Sequence, residues 1–140
     1  MRELFDSQSL AVLSTECSGH PYASLVAFAV TEDLRTLFFA TARDTRKFAN
    51  LRSNSRVALL VDNRSNSVDD FLQAVAVTLL GSCRELSGTE RAGAERLYLE
   101  RHPHLQEFLS SPTCALIAVT VHSLYLVSRF RNVTEYHFSP

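Results

Sequence analysis

The 140-residue sequence lacks the features that mark several large classes of protein. Lysine and arginine (14 residues) nearly balance aspartate and glutamate (15), so the net charge of -1 provides no overall positive field for nucleic acid or an anionic membrane. No uninterrupted apolar run approaches the roughly 20 residues that cross a bilayer, and the start, MRELFDSQSL, lacks the apolar core of a secretory signal. We therefore expect neither nucleic acid nor a membrane among its partners.

The sequence is also poor in cysteine and has no pattern of metal ligands. Cys17, Cys83 and Cys114 lie far apart without a CxxC pair, which argues against a zinc site or a thioredoxin-like motif. Three such thiols indicate a reduced, cytoplasmic protein. The five histidines show no helical i, i+4 spacing, so we predict no metal site. His102 and His104 instead suit the end of a helix.

No sequence fingerprint of a known catalytic centre is present. The G-x-S-x-G, P-loop and Rossmann patterns are all missing. The paired carboxylates Asp69 and Asp70 are interpreted as a helix start rather than as an acid and base. The catalytic residues therefore stay unassigned.

Hydrophobic residues make up 46% of the sequence, and most fall in short segments with strand character. Polar turns such as CSGHP separate these segments. Gly81 interrupts one long segment, where it favours a bulge or a barrel corner. We predict strands over residues 9–15, 22–31, 36–41, 56–62, 74–86, 114–130 and 132–138.

A few segments have helical character instead. We predict helices over residues 45–53 and 87–103, with one turn over 68–73. In the second helix Ser87 begins an S-x-x-E sequence that ends at Glu90, which is typical of a capping box. The order β-β-β-α-β-β-α-β-β predicts a mainly β protein, a single domain over residues 1–140 built as an antiparallel barrel with peripheral helices.

The segment YASLVAFAVT (22–31) is apolar on both of its faces. Alternation places Tyr22 and Val26 on one face and Ala23 and Leu25 on the other. A strand of this kind needs cover on both sides. One small barrel does not provide that cover, so we predict a homodimer.

The segment FATARDTRKFANL places three bases where a helix begins. Arg43, Arg46 and Lys47 crowd this point, although a helix N-terminus already carries about half a positive charge. With Asp44 or Thr45 as N-cap, exposed amides, a hydroxyl, a guanidinium and an ammonium would form a phosphate cradle. Alternatively, the three side chains lie in solvent at a cost of roughly a few tenths of a kcal/mol. The spacing alone leaves both interpretations open.

The longer segment FATARDTRKFANLRSNSRVALLVDN resembles the FMN-binding split-barrel family that includes pyridoxamine 5'-phosphate oxidase. In that family a strand ending in an aromatic or small residue and Thr leads through a loop to a [ST]-R-K helix start. An N-L pair, a short turn and another buried strand follow. Thr45-Arg46-Lys47 and Asn50-Leu51 reproduce this order. The resemblance implies an antiparallel split β-barrel that binds FMN.

The resemblance also implies which residues hold the cofactor. Arg46 and Lys47 would grip the FMN phosphate, while Thr41 and Thr45 would hydrogen-bond to it or to the ribityl chain. The strand over 22–31 would border the isoalloxazine ring with backbone groups and an apolar wall. The predicted cofactor-binding residues are Ser24, Leu25 and Val26 on that strand, with Ala40, Thr41, Thr45, Arg46, Lys47 and Asn50. Family members bind two FMN molecules at a homodimer interface, which adds to the expectation of a dimer.

Two departures from the family pattern bear on the reaction. Pyridoxamine 5'-phosphate oxidases carry basic residues on the strand equivalent to ASLVAF, and a Trp and an Arg-rich tail that hold the substrate phosphate. This sequence has no Trp and ends in TEYHFSP, so we do not expect oxidase activity on vitamin B6. The stretches VDNRSN and SLYLVSRFRNV resemble the branch that includes haem-utilisation proteins and small bacterial flavoproteins.

Together the residues and the resemblance predict an FMN-dependent oxidoreductase with a small substrate that the sequence does not identify. An alternative is a non-enzymatic module that holds flavin or haem for storage, sensing or electron transfer, which a ligand such as His137 would favour. A third possibility is a structural dimer with a solvated basic turn. Arg129 and Arg131 either close over a flavin across the dimer interface or are solvated turn residues.

Overall fold

In the computed structural model, which describes residues 1–140, seven antiparallel strands form one sheet. The strands are β1 (Leu10–Cys17), β2 (His20–Val30), β3 (Thr36–Ala42), β4 (Arg56–Asp62), β5 (Val75–Glu85), β6 (Cys114–Ser128) and β7 (Asn132–His137). Their order is β3-β2-β1-β4-β5-β6-β7, and β3 also pairs with β6, so the first six strands close into a barrel. The predicted mainly β antiparallel barrel is confirmed.

Five α-helices surround the barrel: α1 (Arg2–Ser7), α2 (Arg46–Ser53), α3 (Asp70–Gln73), α4 (Gly88–Arg101) and α5 (Gln106–Ser110), and a short 3₁₀ helix (Pro103–Leu105) lies between α4 and α5. The sequence predicted α2, α3 and α4, but not α1 or α5. The capping-box prediction is wrong, because Ser87 stands at the N-cap of α4 without a side-chain hydrogen bond. The Glu90 carboxylate instead binds Arg84, which draws it away from the helix start. None of the helices combines the length and the hydropathy that crossing a bilayer requires.

Alternate side chains of the strands fill the barrel interior. Leu13, Phe28 and Leu59 are at most 1% exposed and belong to one continuous core. Helix α2 closes one end of the barrel by adding Phe48 and Leu51 to that core. The start of α2 is therefore held firmly against the barrel.

A second core lies outside the barrel, where α4 covers part of β2, β3 and β6. Tyr98 is its centre, and its hydroxyl donates to the carbonyl of Ala27 at 3.0 Å. Burial raises the pKa of Tyr98 to about 12. The cover predicted on both faces of residues 22–31 is found only in the second half of β2, since Ala29 is buried whereas Leu25 is 64% exposed.

Gly81 marks the bend of the barrel. The register between β5 and β6 shifts between Leu80, which pairs with Ser123, and Gly81, which pairs with Val121. The predicted bulge is thus confirmed, and the extra residue, His122, lies on the partner strand. The bulge lies where the long strands β5 and β6 bend, so that β6 can also pair with β3 and close the barrel.

His102 links α4 to the barrel. It stands at the C-cap of the helix, only 2% exposed, with Nε2 2.7 Å from the carbonyl oxygen of Phe28. Because a carbonyl only accepts hydrogen bonds, Nε2 carries the proton of the neutral ring. Burial lowers the pKa of His102, the hydrogen bond to Phe28 partly offsets this, and the nearby charges of Arg101 and His104 lower it further.

We expect the free energy of unfolding to fall as the pH is lowered from about 7 to about 5, because His102 in the unfolded chain has a pKa of about 6.5 and a lower one in the fold. Above that value neither state binds the proton, and below it the unfolded state binds the proton first. Urea unfolding at several pH values measures the effect. His102→Gln should lose this component, while the exposed control His104→Gln should keep it. Equal pH dependence in the wild type and His102→Gln would contradict the assignment.

Candidate functional site

The candidate site lies where α2 begins, directly after β3. Thr45 is the N-cap: its backbone is extended, and its Oγ1 accepts a hydrogen bond from the amide of Phe48 at 3.3 Å. Of the two N-cap residues that the sequence allowed, Thr45 rather than Asp44 takes the role. This cap satisfies one amide of the first turn.

Two amides and two cations remain available at this helix start. The backbone amides of Arg46 and Lys47 donate to no acceptor within the protein. Neither side chain forms an ion pair. The Arg46 guanidinium lies 5.7 Å from the centre of the Tyr22 ring, so a cation–π contact places it between α2 and β2. The first turn of α2 therefore carries two cationic side chains without an acidic partner and two backbone amides without an acceptor.

Arg43 does not belong to this cluster. Its guanidinium binds Glu85 at 2.7 Å and the carbonyl of Pro112 at 2.8 Å. The hydrogen bond to Glu85 raises the pKa of Arg43. The three bases of the sequence are thus divided into Arg43, which is held in an ion pair, and a pair of cations, Arg46 and Lys47, without an acidic partner.

Thr41 and Thr45 shape the turn before α2. Both hydroxyls donate toward the carbonyl of Ala42, at 3.1 and 2.9 Å, and their oxygens are 3.0 Å apart. Thr41 is only 1% exposed. In this arrangement the two threonines hold the backbone in place, and neither has a free proton for a ligand.

Asn50 and Ala40, two further predicted site residues, are structural in this arrangement. The Asn50 amide donates to Thr15 Oγ1 at 3.0 Å, which ties α2 to β1. Ala40 is 8% exposed and packs in the second core beneath α4. Asn50 therefore fixes the position of α2, whereas Ala40 lies on a different side of β3.

The three predicted residues of β2 do not share one surface. Ser24 and Val26 point inward, and Val26 is buried at 4% exposure in the main core. Leu25 points outward. The structure therefore does not join Leu25 and Val26 in one apolar wall. The Oγ atom of Ser24 is buried without a hydrogen-bond partner, which makes it the one orphaned side-chain polar atom in the molecule.

The outer face of the barrel away from α4 is a feature that the sequence did not reveal. Two adjacent rows of paired residues cross five strands without a charged side chain. These rows are Leu25–Val12–Leu60–Thr78–Tyr125 and Ala23–Ser14–Ala58–Leu80–Ser123. Leu25 and Leu80 are 64% and 39% exposed, and Leu10 beside them is 53% exposed. We call this surface the apolar face.

The C-terminal residues singled out in the sequence lie away from α2 within one chain. Arg129 and Arg131 are exposed in the turn between β6 and β7, which adjoins the Asp62 end of β4, whereas α2 leads into its other end. His137 contacts Ser123 Oγ at 2.9 Å through Nδ1 and Glu135 at 3.2 Å through Nε2. No group of three histidine, cysteine, aspartate or glutamate side chains is arranged to hold a metal ion.

Comparison with known proteins identifies relatives of this fold. A family model described as pyridoxamine 5'-phosphate oxidase matches residues 1–128. A haem-binding protein from Mycobacterium smegmatis superposes with a TM-score of 0.86 at 18% identity, over 97% of this chain but 55% of its own. An FAD-binding protein from Mesorhizobium loti gives 0.71 at 14% identity, over 89% of each chain.

A third structure belongs to a Clostridium acetobutylicum protein of the pyridoxinephosphate oxidase family. It gives a TM-score of 0.75 at 17% identity, over 97% of this chain and 90% of its own. No curated protein matches the sequence. At these identities the structural likeness shows the fold alone, and this chain spans about half of the M. smegmatis protein.

Proposed function

Because the chain belongs to the pyridoxamine 5'-phosphate oxidase family, we propose that it binds FMN with the phosphate at the start of α2. The observation that carries this proposal is the pair of unpaired cations, Arg46 and Lys47, beside two free amides. Helix amides with an arginine and a lysine are a preferred setting for a phosphate group.

The residues present fit such a ligand. A phosphate dianion would accept from the amides of Arg46 and Lys47 and from both side chains, which would relieve the repulsion between these cations and the helix dipole. Ser24, whose hydroxyl lacks a partner, lies on the adjacent strand β2 and would supply a further polar group. Thr41, Thr45 and Asn50 would act by holding α2 in position rather than by direct contact.

We infer a role in electron transfer to or from a small substrate, since bound FMN supplies hydride and electron chemistry. This chain would bind the phosphate, orient the ring beside β2 and exclude water. No side chain near α2 has the setting of an acid, base or nucleophile. The proposal is therefore an FMN-dependent oxidoreductase without an assigned catalytic residue, located in the cytoplasm.

A haem-binding module is the second candidate. It is favoured by the likeness to the haem-binding protein of M. smegmatis. His137 is a poor axial ligand as it stands, because both of its ring nitrogens already contact Ser123 and Glu135.

The visible spectrum tests both candidates. Purified protein would be recorded before and after separate additions of FMN and haemin, each followed by removal of unbound ligand. We expect a retained flavin spectrum. Retention of haem alone would replace the proposal with the haem-binding module.

We further propose that the apolar face is the contact surface of a homodimer, with each FMN at the subunit interface. A surface of five strands without charge, and with leucines up to 64% exposed, is unusual for a monomer. A twofold contact would bury the same leucines from both copies. It would also cover the exposed half of β2 beside the proposed ring position.

Replacing Leu25 by glutamate should convert the dimer to a monomer. The variant introduces two charges per interface and removes two leucine contacts of about 1.5–3 kcal/mol each, so the dissociation constant should rise about 100-fold or more. Light scattering after size-exclusion chromatography measures the change. Because Leu25 is exposed in one chain, the fold should persist.

The matched control is Phe108→Glu, at a 41% exposed phenylalanine on α5 outside the apolar face. This control should remain dimeric. A dimeric Leu25→Glu protein, or a monomeric wild type at micromolar concentration, would refute this interface.

A further inference from the structure

A cavity of about 320 Å³ lies between α2 and the end of β5. Its inner wall is apolar, since Phe48 and Leu51 of α2 and Ile117 of β6 are each at most 7% exposed. All three belong to the main core, so the cavity is a gap left where α2 closes the barrel. Its volume lies at the lower end of the range of about 300–1,000 Å³ that is typical of small-molecule sites.

Cys83 forms the side of this cavity that belongs to β5. Its thiol is free and partly exposed, and its backbone amide bonds at 2.8 Å to the carbonyl of Ser55, the residue before β4. This bond fixes the position of β5 beside the end of α2. Burial raises the pKa of Cys83 to about 11, so the thiol is protonated at neutral pH. The side wall of the cavity is therefore uncharged, like its inner wall.

Two ion pairs border the mouth of the cavity. Arg84, which lines it, pairs with Glu90 of α4. Glu85, which also lines it, pairs with Arg43. Each pair is neutral as a whole, so neither sets the sign of the charge that a ligand would meet.

Arg52 is the charged residue of the cavity wall that has no acidic partner. It is exposed in the last turn of α2, with its guanidinium 5.9 Å from the centre of the Phe48 ring. Beyond the wall, Glu16, bound at the C-cap of α2, and the exposed Arg56 add one charge of each sign. Asp44, which also lacks an ion pair, precedes the opposite end of α2. The free charge at the mouth of the cavity is therefore positive.

We propose that this cavity binds a small apolar carboxylate. The apolar body lies against Phe48, Leu51 and Ile117, and the carboxylate pairs with Arg52. The planar guanidinium suits a carboxylate because it donates two parallel hydrogen bonds, and an apolar wall with one placed charge is typical of ligand sites. None of the residues that line the cavity belongs to the proposed phosphate cradle in the first turn of α2. The inference does not depend on FMN binding.

Titration with benzoate, followed by calorimetry, tests the site. We expect saturable binding of one benzoate per chain. Benzyl alcohol, which keeps the ring without the charge, and acetate, which keeps the charge without the ring, should each bind at least about tenfold more weakly. Bound benzoate should also slow the alkylation of Cys83 by iodoacetamide. Cys17, which lies outside the cavity, is the internal control, and peptide mass spectrometry gives both rates.

Two variants separate the charge from the apolar cavity. Arg52→Gln should weaken benzoate binding at least about tenfold, because the charge-assisted contact is lost, and its exposed position should leave Tm unchanged. Cys83→Leu should also weaken binding at least about tenfold by filling the cavity. Arg56→Gln removes an unpaired arginine outside the cavity wall, and it should bind benzoate like the wild type. The pair Arg46→Ala with Lys47→Ala should do the same.

The proposal would be overturned by the absence of saturable benzoate binding, or by equal affinity for benzyl alcohol and benzoate. Unchanged affinity in Arg52→Gln, or in a folded Cys83→Leu protein, would also overturn it. Loss of binding in either control would show that benzoate binds elsewhere.

Discussion

Replacing Arg46 and Lys47 together by alanine should weaken FMN binding by about 3–6 kcal/mol, because each charge-assisted contact contributes roughly 1.5–3 kcal/mol. The dissociation constant should therefore rise more than about 100-fold. Arg46 is exposed, Lys47 is partly exposed, and neither makes an ion pair, so their removal should leave the fold intact. Quenching of FMN fluorescence on titration gives the affinity.

Riboflavin provides the decisive comparison, because it carries the same ring without the phosphate. The double variant and the wild type should bind riboflavin equally weakly. A large loss of riboflavin affinity would instead show that the two residues act on the ring or on the fold. Full FMN affinity in the double variant would refute the placement of the phosphate.

Arg52→Ala is the matched control for charge. Arg52 lies in the last turn of the same helix, with its guanidinium 5.9 Å from the centre of the Phe48 ring. Its loss changes the net charge of α2 but not the proposed cradle. FMN affinity should therefore change by less than about threefold, as expected for a screened charge at a distance.

Gly81→Ala should destabilise the protein by about 3 kcal/mol or more, since overpacking against an immovable group lies at the upper end of such costs. A Cβ at this position would collide with the carbonyl oxygen of Thr120 and lie 2.8 Å from Cγ1 of Val119. Thr120 pairs with β3 at the point where the barrel closes, so its backbone cannot shift without opening that pairing. Thermal unfolding should show a fall in Tm of about 10 °C.

Gly93→Ala serves as the opposite control. A Cβ at Gly93, inside α4, would meet no atom within 4 Å. Alanine should raise stability by about 0.5–1 kcal/mol, because it is the better helix former. If Gly81→Ala were as stable as the wild type, the bulge would not be the point on which barrel closure depends.

The elements that could be predicted are those set by local chemistry. The continuous apolar run of RVALLVD gave β4, and the interruption at Gly81 gave the bulge. An N-cap at Asp44 or Thr45, followed by Arg46-Lys47, gave the start of α2, and the structure selects Thr45. The prediction of a capping box at Ser87 is wrong because the Glu90 carboxylate accepts hydrogen bonds from Arg84 at the end of β5 instead.

The candidate site was predictable only in part. The sequence gathered three bases at one point, yet Glu85 and Pro112 remove Arg43 from the cluster through contacts 42 and 69 residues away. The resemblance implied an apolar wall that includes Leu25 and Val26, although alternation sends Leu25 outward and Val26 into the core.

By itself the sequence determined where the strands and three of the five α-helices form, because hydrophobic pattern, turn residues and caps act over a few neighbouring residues. Only the tertiary structure decided which faces are covered. Helix α4 buries one outer surface of the barrel, while the apolar face and the cavity beside α2 stay open. These surfaces join strands from distant parts of the chain, and their burial depends on which strands pair. Barrel closure through β3 and β6 sets that pairing.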